Sequence, residues 1–290
     1  MKLKKLGTDP TGYLFILPFF IIFSYFYFIP IIKVIIDSFT DYDMVTKQNY
    51  IGFSNYIELA SDERFIRSIG NTLVYTVGTL LPTLCLGLLL ALLINNAMIK
   101  TRISRTLIFM PHVVSMVAVS MIWLYLYEPT KGVFNTLLTN LGLQRSDWLL
   151  DPNRAMLCLI IMGIWKSAGY NMMIFLSGLK NIPVQYYEAA KIDGSTPINT
   201  FFRITLPLLS PTTSFLFITG IISSFNVFDQ VQVMTDGGPM FRTTTMVHQI
   251  YTAGFLNYRV GYASAMSVVL LVVVVIITVI NFRLTQERTD

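Results

Sequence analysis

Six charge-poor windows constrain this chain more than any other feature: Tyr13–Ile32, Thr72–Ile94, Leu107–Tyr127, Ala155–Leu179, Leu208–Phe228 and Tyr262–Phe282. Each is about twenty residues long, which in helical form crosses the roughly 30 Å of hydrocarbon in a bilayer. Lipid offers no water to free N–H and C=O groups, so the spanning segments are expected to be helices. Hydrophobic residues make up 54% of the chain and charged residues 13%, against about a quarter charged in soluble domains. The expected fold class is an all-α integral membrane protein with six transmembrane helices. The first window can run on past Lys33 to Ile36, and it is too long for the apolar core of a signal peptide, so it is expected to be retained. Pro18, Pro30, Pro82 and Pro111 fall inside windows and predict kinks. Cys85 and Cys158 also fall inside windows and read as small core residues, not a disulfide.

Charge sets the orientation. One set of connectors carries Lys2, Lys4, Lys5, Lys100, Arg102, Arg105, Lys180, Lys191, Arg203, Arg283 and Arg288, eleven basic residues against five acidic ones. The opposite set has eight basic and eleven acidic residues, among them Asp37, Asp41, Asp43, Glu58, Asp62 and Glu63. The basic set is expected in the cytoplasm, which puts both termini inside.

The windows contain a few polar exceptions. In the third, Ser115, Ala118 and Ser120 suit close helix contact, and Trp123, Tyr125 and Tyr127 read as an aromatic belt at the outer interface. His112 near its cytoplasmic end is read as satisfying a neighbouring backbone group rather than carrying protons. In the fourth window Lys166 lies roughly 18 Å along a helix from Arg154, a costly depth for a charge. It faces a pathway, makes a structural contact such as an ion pair or a hydrogen bond to a partner subunit, or lies nearer the end of its span than the window suggests. In the fifth, Ser223, Asn226 and Gln230 share a face on a helical repeat with Asp229 offset towards Asn226, which favours a hydrated cavity that binds hydroxyls over inter-helix hydrogen bonding. Outside the windows, a short helix is expected around Asn55–Ala60, a sharp external turn at Asp236–Pro239, and a re-entrant or interfacial segment at Thr243–Phe255. Gly261 to Ser267, rich in small residues, should pack inward.

The most ordered polar stretch is Tyr186–Pro207, YYEAAKIDGSTPINTFFRITLP. Asn181 with Pro183 reads as a helix start, Gly194 as a residue just past the helix end that tolerates positive φ, and Ser195 with Pro197 as a second start. Pro207 ends that second helix or begins the next span. Two short helices joined by a bend at Gly194 are expected, on the cytoplasmic side by charge.

The frame of Glu188-Ala189-Ala190, Gly194 and Ile204-x-Leu206-Pro207 resembles the EAA loop of the membrane subunits of binding-protein-dependent ABC importers. Four further stretches, FMPHVVSMVAVSMIW, WKSAGYNMMIFLSGLKNIP, SFNVFDQVQVMTDGGP and GYASAMS, extend the resemblance along the chain to the permease subunits of carbohydrate importers, the group that includes the maltose permease pair, and within it to the F-type partner. Unlike the maltose F-type subunit, this chain has no large external domain and fewer spans. The resemblance implies a type I importer fold and three kinds of partner: a second permease forming a heterodimer, two ATPase subunits, and an extracellular solute-binding protein. It further implies alternating access for a sugar in a bacterial or archaeal cell membrane, with no nucleic acid partner. Tyr187, Glu188, Ala189, Ala190, Asp193 and Gly194 would couple to the ATPase. Lys166, Tyr170, Asn171, Ser223, Asn226 and Asp229 would line the substrate pathway.

The chain contains no G-x-x-x-x-G-K-[ST] run, so no P-loop cradles phosphates here. No cofactor is expected on this chain, and ATP and Mg belong to the partner ATPases. The expected organisation is a tail, first span and external loop over 1–67, a transport core over 68–284 with its coupling loop at 181–207, and a cytoplasmic tail over 285–290. Sugar import is preferred, with a phosphorylated polyol such as glycerol phosphate as the alternative. An ion-coupled secondary transporter would want paired acidic groups deep in the spans and would leave the loop frame unexplained. A membrane-embedded enzyme would want a His or carboxylate cluster, whereas His112 and His248 fall on opposite sides.

Overall fold

The computed structural model describes residues 10–45, 48–95 and 102–286. Lys2, Lys4, Lys5, Lys100 and Arg288, used above for orientation, lie outside the described residues. Helices account for nearly all regular structure, with one isolated bridge between Thr40 and Tyr50 and no strand among the described residues. In chain order the helices are α1 (Tyr13–Asp37), α2 (Ser54–Ser61), α3 (Glu63–Asn95), α4 (Arg102–Val113), α5 (Met116–Leu126), α6 (Val133–Asn140) and α7 (Ala155–Asn181). They continue with α8 (Val184–Ile192), α9 (Pro197–Leu208), α10 (Ser210–Phe225), α11 (Asp229–Met234), α12 (Met246–Tyr251) and α13 (Val260–Gln286). Among the described residues, four helices are long and apolar enough to cross a membrane, or up to six if each of two bent pairs is one span.

The chain forms two compact units, Met1–Ala60 with Ile250–Val269, and Ser61–Gln249 with Leu270–Asp290. In the first, the long apolar helix α1 is interrupted by a π turn at Ser24–Phe28. That turn lies just before Pro30, whose missing N–H and bulky ring disturb the ladder one turn upstream. After α1 the chain makes a polar knot. The Asn55 amide donates to the carbonyls of Ser38 and Thr40, each at 2.9 Å, and the Thr40 hydroxyl donates to the Asp37 carbonyl at 2.7 Å. The start of α13 docks on the same knot, where the Gly261 N–H donates to the Tyr42 carbonyl at 2.8 Å. A Cβ on Gly261 would strike the Thr40 carbonyl, so the small residue expected to pack inward is required by close backbone approach. Arg259 forks onto both oxygens of Glu58, at 2.8 and 2.6 Å, and its guanidinium lies 4.3 Å from the Tyr262 ring centroid.

In the second unit α3 and α7 run against each other. A Cβ on Gly87 would approach the Asn171 Cβ to 2.6 Å and one on Gly163 the Tyr75 hydroxyl to 2.6 Å; in lipid, where the hydrophobic effect supplies no helix–helix drive, such close contact stabilises the pair. One apolar cluster is built on Tyr75, Val119, Trp123, Tyr127, Leu159 and Met162. A second, on Leu80, Leu84, Met172, Phe175, Leu216 and Phe225, is joined by Leu270, Val273 and Ile277 of α13.

Several expectations need correction. α3 extends the second window back to Glu63, because the Asp62 carboxylate accepts from the N–H groups of Arg64 (2.8 Å) and Phe65 (3.2 Å) and caps the helix there. The third window is two helices, α4 and α5, bent by 97°. Trp123 and Tyr127 form no interfacial belt. They share one helical face and are buried, at 8% and 2% exposure, where Tyr127 packs on Phe134 and Trp148. Only Tyr125 of that trio is exposed. Cys158 is buried as expected, but Cys85 is exposed on the outer face of α3. The short helix expected at Asn55–Ala60 is present as α2.

Candidate functional site

A cavity of about 560 Å³ opens within the second unit. Its walls are Tyr75, Thr79 and Thr83 from α3, His112 and Met116 at the α4–α5 joint, and Gly163, Ser167, Tyr170 and Asn171 from α7. Leu80 of α3, Leu216, Thr219, Gly220, Ser223 and Ser224 of α10 and the segment Asn226–Gln230 complete it. Five of the residues expected on the pathway therefore meet here: Tyr170, Asn171, Ser223, Asn226 and Asp229. Asp229 supplies the one carboxylate in the lining.

The way they meet differs from expectation. Ser223, Asn226 and Gln230 do not share a helical face, because α10 stops at Phe225 and α11 begins at Asp229. Asn226 ends the helix by donating both its backbone N–H, at 3.3 Å, and its side-chain amide, at 2.7 Å, to the Ile222 carbonyl. The break turns Gln230 inward. Its amide donates to the Tyr75 hydroxyl at 2.8 Å, with both side chains buried.

Lys166 does not line the cavity. Its ammonium donates to the carbonyls of Pro111 (3.1 Å), His112 (3.3 Å) and Val114 (2.6 Å) at the α4–α5 joint. His112, set aside in the sequence as a residue serving the backbone, instead stacks its ring on Tyr170 with centroids 4.7 Å apart and planes 21° apart, and lines the cavity. Nothing around His112 in the sequence signals that position. Tyr75, Thr79 and Thr83 were also missed, although their four-residue spacing in an apolar window marks a polar stripe down one face of α3.

The Tyr186–Pro207 stretch folds as two short helices about Gly194. The end of α8 has the hydrogen bonds of a Schellman motif, with the Ser195 N–H donating to the Ala190 carbonyl at 2.9 Å and the Gly194 N–H to the Lys191 carbonyl at 3.2 Å. Gly194 has φ +71°, a region closed to most side chains. The starts of both helices differ from expectation. Asn181 is the last residue of α7, and Pro183 precedes α8 without a side-chain cap. At the second helix Thr196, not Ser195, is the cap, accepting from the Asn199 N–H at 3.3 Å. The Tyr187 hydroxyl lies 3.2 Å from that of Thr205, tying the two helices together. Glu188 and Ala189 are exposed while Ala190 is buried, and Asp193 is the C-cap. α9 passes through a π turn at Phe201–Thr205 before Pro207, then bends by 62° into α10 at the buried Leu209.

A family model described as binding-protein-dependent transport system inner membrane component matches residues 83–289. Over 278 residues the chain is 34% identical to the sn-glycerol-3-phosphate transport system permease protein UgpA of Agrobacterium fabrum, covering 95% of this chain and 94% of that protein. It is 38% identical to the probable ABC transporter permease protein YesP of Bacillus subtilis, covering 94% of this chain and 89% of that one. Among solved structures, a chain of the bacterial alginate ABC transporter in complex with an alginate pentasaccharide-bound periplasmic protein superposes with a TM-score of 0.87 at 28% identity, covering 99% of each chain. The MetNI methionine ABC transporter, at 15% identity and TM-score 0.54 over 82% of this chain and 99% of that one, shares the fold alone.

Proposed function

This chain belongs to the inner membrane components of binding-protein-dependent transport systems, and from that premise we propose that it is one of two permeases lining the alternating-access path of a sugar importer. The observation that carries the reading is the cavity of about 560 Å³, whose wall mixes hydroxyl and amide side chains with apolar ones such as Leu80, Leu216 and Phe228. Such groups bind the hydroxyls of a carbohydrate, and Tyr170 and His112 offer ring faces on which a sugar can lie. In this reading α4 with α5 forms the third of six spans and α10 the fifth, both termini lie in the cytoplasm, and residues 68–284 act as the transport core. The path residues are Tyr170, Asn171, Ser223, Asn226 and Asp229.

The energy comes from elsewhere. The chain holds no phosphate-cradling loop, so ATP and Mg are handled by two partner ATPases and no cofactor sits on this chain. These dock on the loop around Gly194, where exposed Glu188 makes a polar contact, Ala189 allows close seating, and the Schellman bend holds the two helices as one body with Tyr187 and Asp193 at its edges. Closure of the ATPase pair moves that body, and α9 passes the motion to α10, which carries Ser223 and is followed by Asn226. An extracellular solute-binding protein delivers the sugar, and a second permease supplies the other wall.

Uptake of radiolabelled sugar into proteoliposomes, with and without the ATPase subunits and ATP, tests this. Uptake driven by an ion gradient alone would sink it. A second reading, import of a phosphorylated polyol, is favoured by the likeness to a permease named for sn-glycerol 3-phosphate. Thermal shift of the cognate binding protein against a panel of neutral sugars and sn-glycerol 3-phosphate separates the two.

A further inference from the structure

We propose that Lys166 is a positioning residue that clamps the elbow of the third span and through it sets the His112–Tyr170 wall of the cavity. The elbow turns by 97° between α4 and α5, with Ser115 in extended backbone at φ −53° and ψ 139°. A turn of that size in an apolar stretch leaves the carbonyls at the end of α4 and in the joint after it without helical donors, and lipid supplies none. The Lys166 ammonium donates to three of these, the carbonyls of Pro111 and His112 in α4 and of Val114 just after it. The negative end of the α4 dipole also favours a cation at that spot.

An ammonium has three N–H donors, and all three are engaged here. None remains for a substrate anion, and Lys166 is 7% exposed and absent from the cavity lining. No carboxylate forms an ion pair with it among the described residues. The depth that marked Lys166 as anomalous is thus explained by backbone carbonyls of its own chain.

The same face of α7 grips α4 at two further points, three and four residues on. Gly169 lies so close that a Cβ there would strike the Ile108 carbonyl. Tyr170 stacks on His112, whose own carbonyl Lys166 holds. Release of the ammonium would free the elbow on the side that faces the cavity. The assignment rests on the proposed function only in treating that cavity as a transport path; the clamp itself is independent of the substrate.

The test uses the assembled transporter in nanodiscs, with spin labels at exposed Ile103 and Tyr125 on the two arms of the elbow, in a Cys85→Ser, Cys158→Ala background. Lys166→Met should shift and broaden the distance distribution between the labels, whereas Lys166→Arg, which keeps a cation with several donors, should restore the parent distribution. Lys166→Gln, with donors but no charge, gives a second reading where the Met variant fails to assemble, and should lie between the two. The distances need no substrate, so they stand whether or not a sugar is carried. Stimulation of the ATPase by sn-glycerol 3-phosphate and by maltotriose is measured on the same samples. Parent distances in the Met or Gln variant would overturn the clamp, as would those distances together with a loss confined to sn-glycerol 3-phosphate, which would make Lys166 a charge in the path.

Discussion

Gln230 donates to the hydroxyl of Tyr75 at 2.8 Å, joining the segment after α10 to α3 across 155 residues of chain. Both side chains are buried, so the bond closes the cavity wall away from bulk solvent.

Gln230→Leu leaves the Tyr75 hydroxyl without its buried partner and should destabilise the protein by about 1–3 kcal/mol. Tyr75→Phe made on top of it should cost much less than Tyr75→Phe alone. Thermal unfolding of the purified complex for the two single variants and the double variant checks this coupling.

Gly169→Ala should destabilise by about 1–3 kcal/mol, the usual range for overpacking, because its Cβ meets the Ile108 carbonyl, a backbone atom that cannot swing aside. Gly70→Ala, where a Cβ meets nothing within 4 Å, is the control and should not destabilise. The same unfolding assay reads both.

Gly194→Pro breaks the Schellman bend, since the Gly194 N–H is a donor to Lys191 and its φ is +71°. Glu188→Lys reverses an exposed charge on α8. Each should uncouple ATP hydrolysis from uptake or prevent co-purification of the ATPase while the membrane part still assembles. Normal transport by both variants would refute the docking role.

Asn226→Ala removes one neutral hydrogen-bonding group from the lining. The sugar concentration for half-maximal uptake should rise about fivefold, the equivalent of a bond worth about 1 kcal/mol, with ATPase binding unchanged. An unaltered sugar dependence would take Asn226 out of the site.

His248, on α12, is buried, and desolvation holds its imidazole below the ordinary value of 6.5 despite Asp236 at 3.4 Å. The folded state therefore binds this proton less readily than the unfolded chain. Stability should be full above pH 6.5, fall as the pH drops from there towards the folded value, and level off below it. His248→Gln should flatten that part of the curve, measured as unfolding temperature against pH.

The apolar windows were legible in the sequence because their length answers to bilayer thickness, a constraint local to each stretch. α7 was placed to within two residues of its expected end, and the bend at Gly194 was legible because one glycine followed a run without breakers. The elbow in the third window was not. Pro111 predicted a kink, but a full turn of 97° needs something to receive the released carbonyls. That something is Lys166, more than fifty residues away in the chain. The placing of Tyr75 was hidden likewise, since its partner Gln230 turns inward only where α10 breaks.

By itself, then, the sequence determined that this is a helical membrane chain, where the loop around Gly194 bends, and which polar residues its apolar stretches tolerate. Those features depend on hydrophobicity and on backbone freedom, which act over a few neighbouring residues. The tertiary structure decided where the helices break and which polar groups meet around one cavity. Those outcomes depend on satisfying buried carbonyls, amides and one ammonium, and the groups that satisfy them are brought together only by packing.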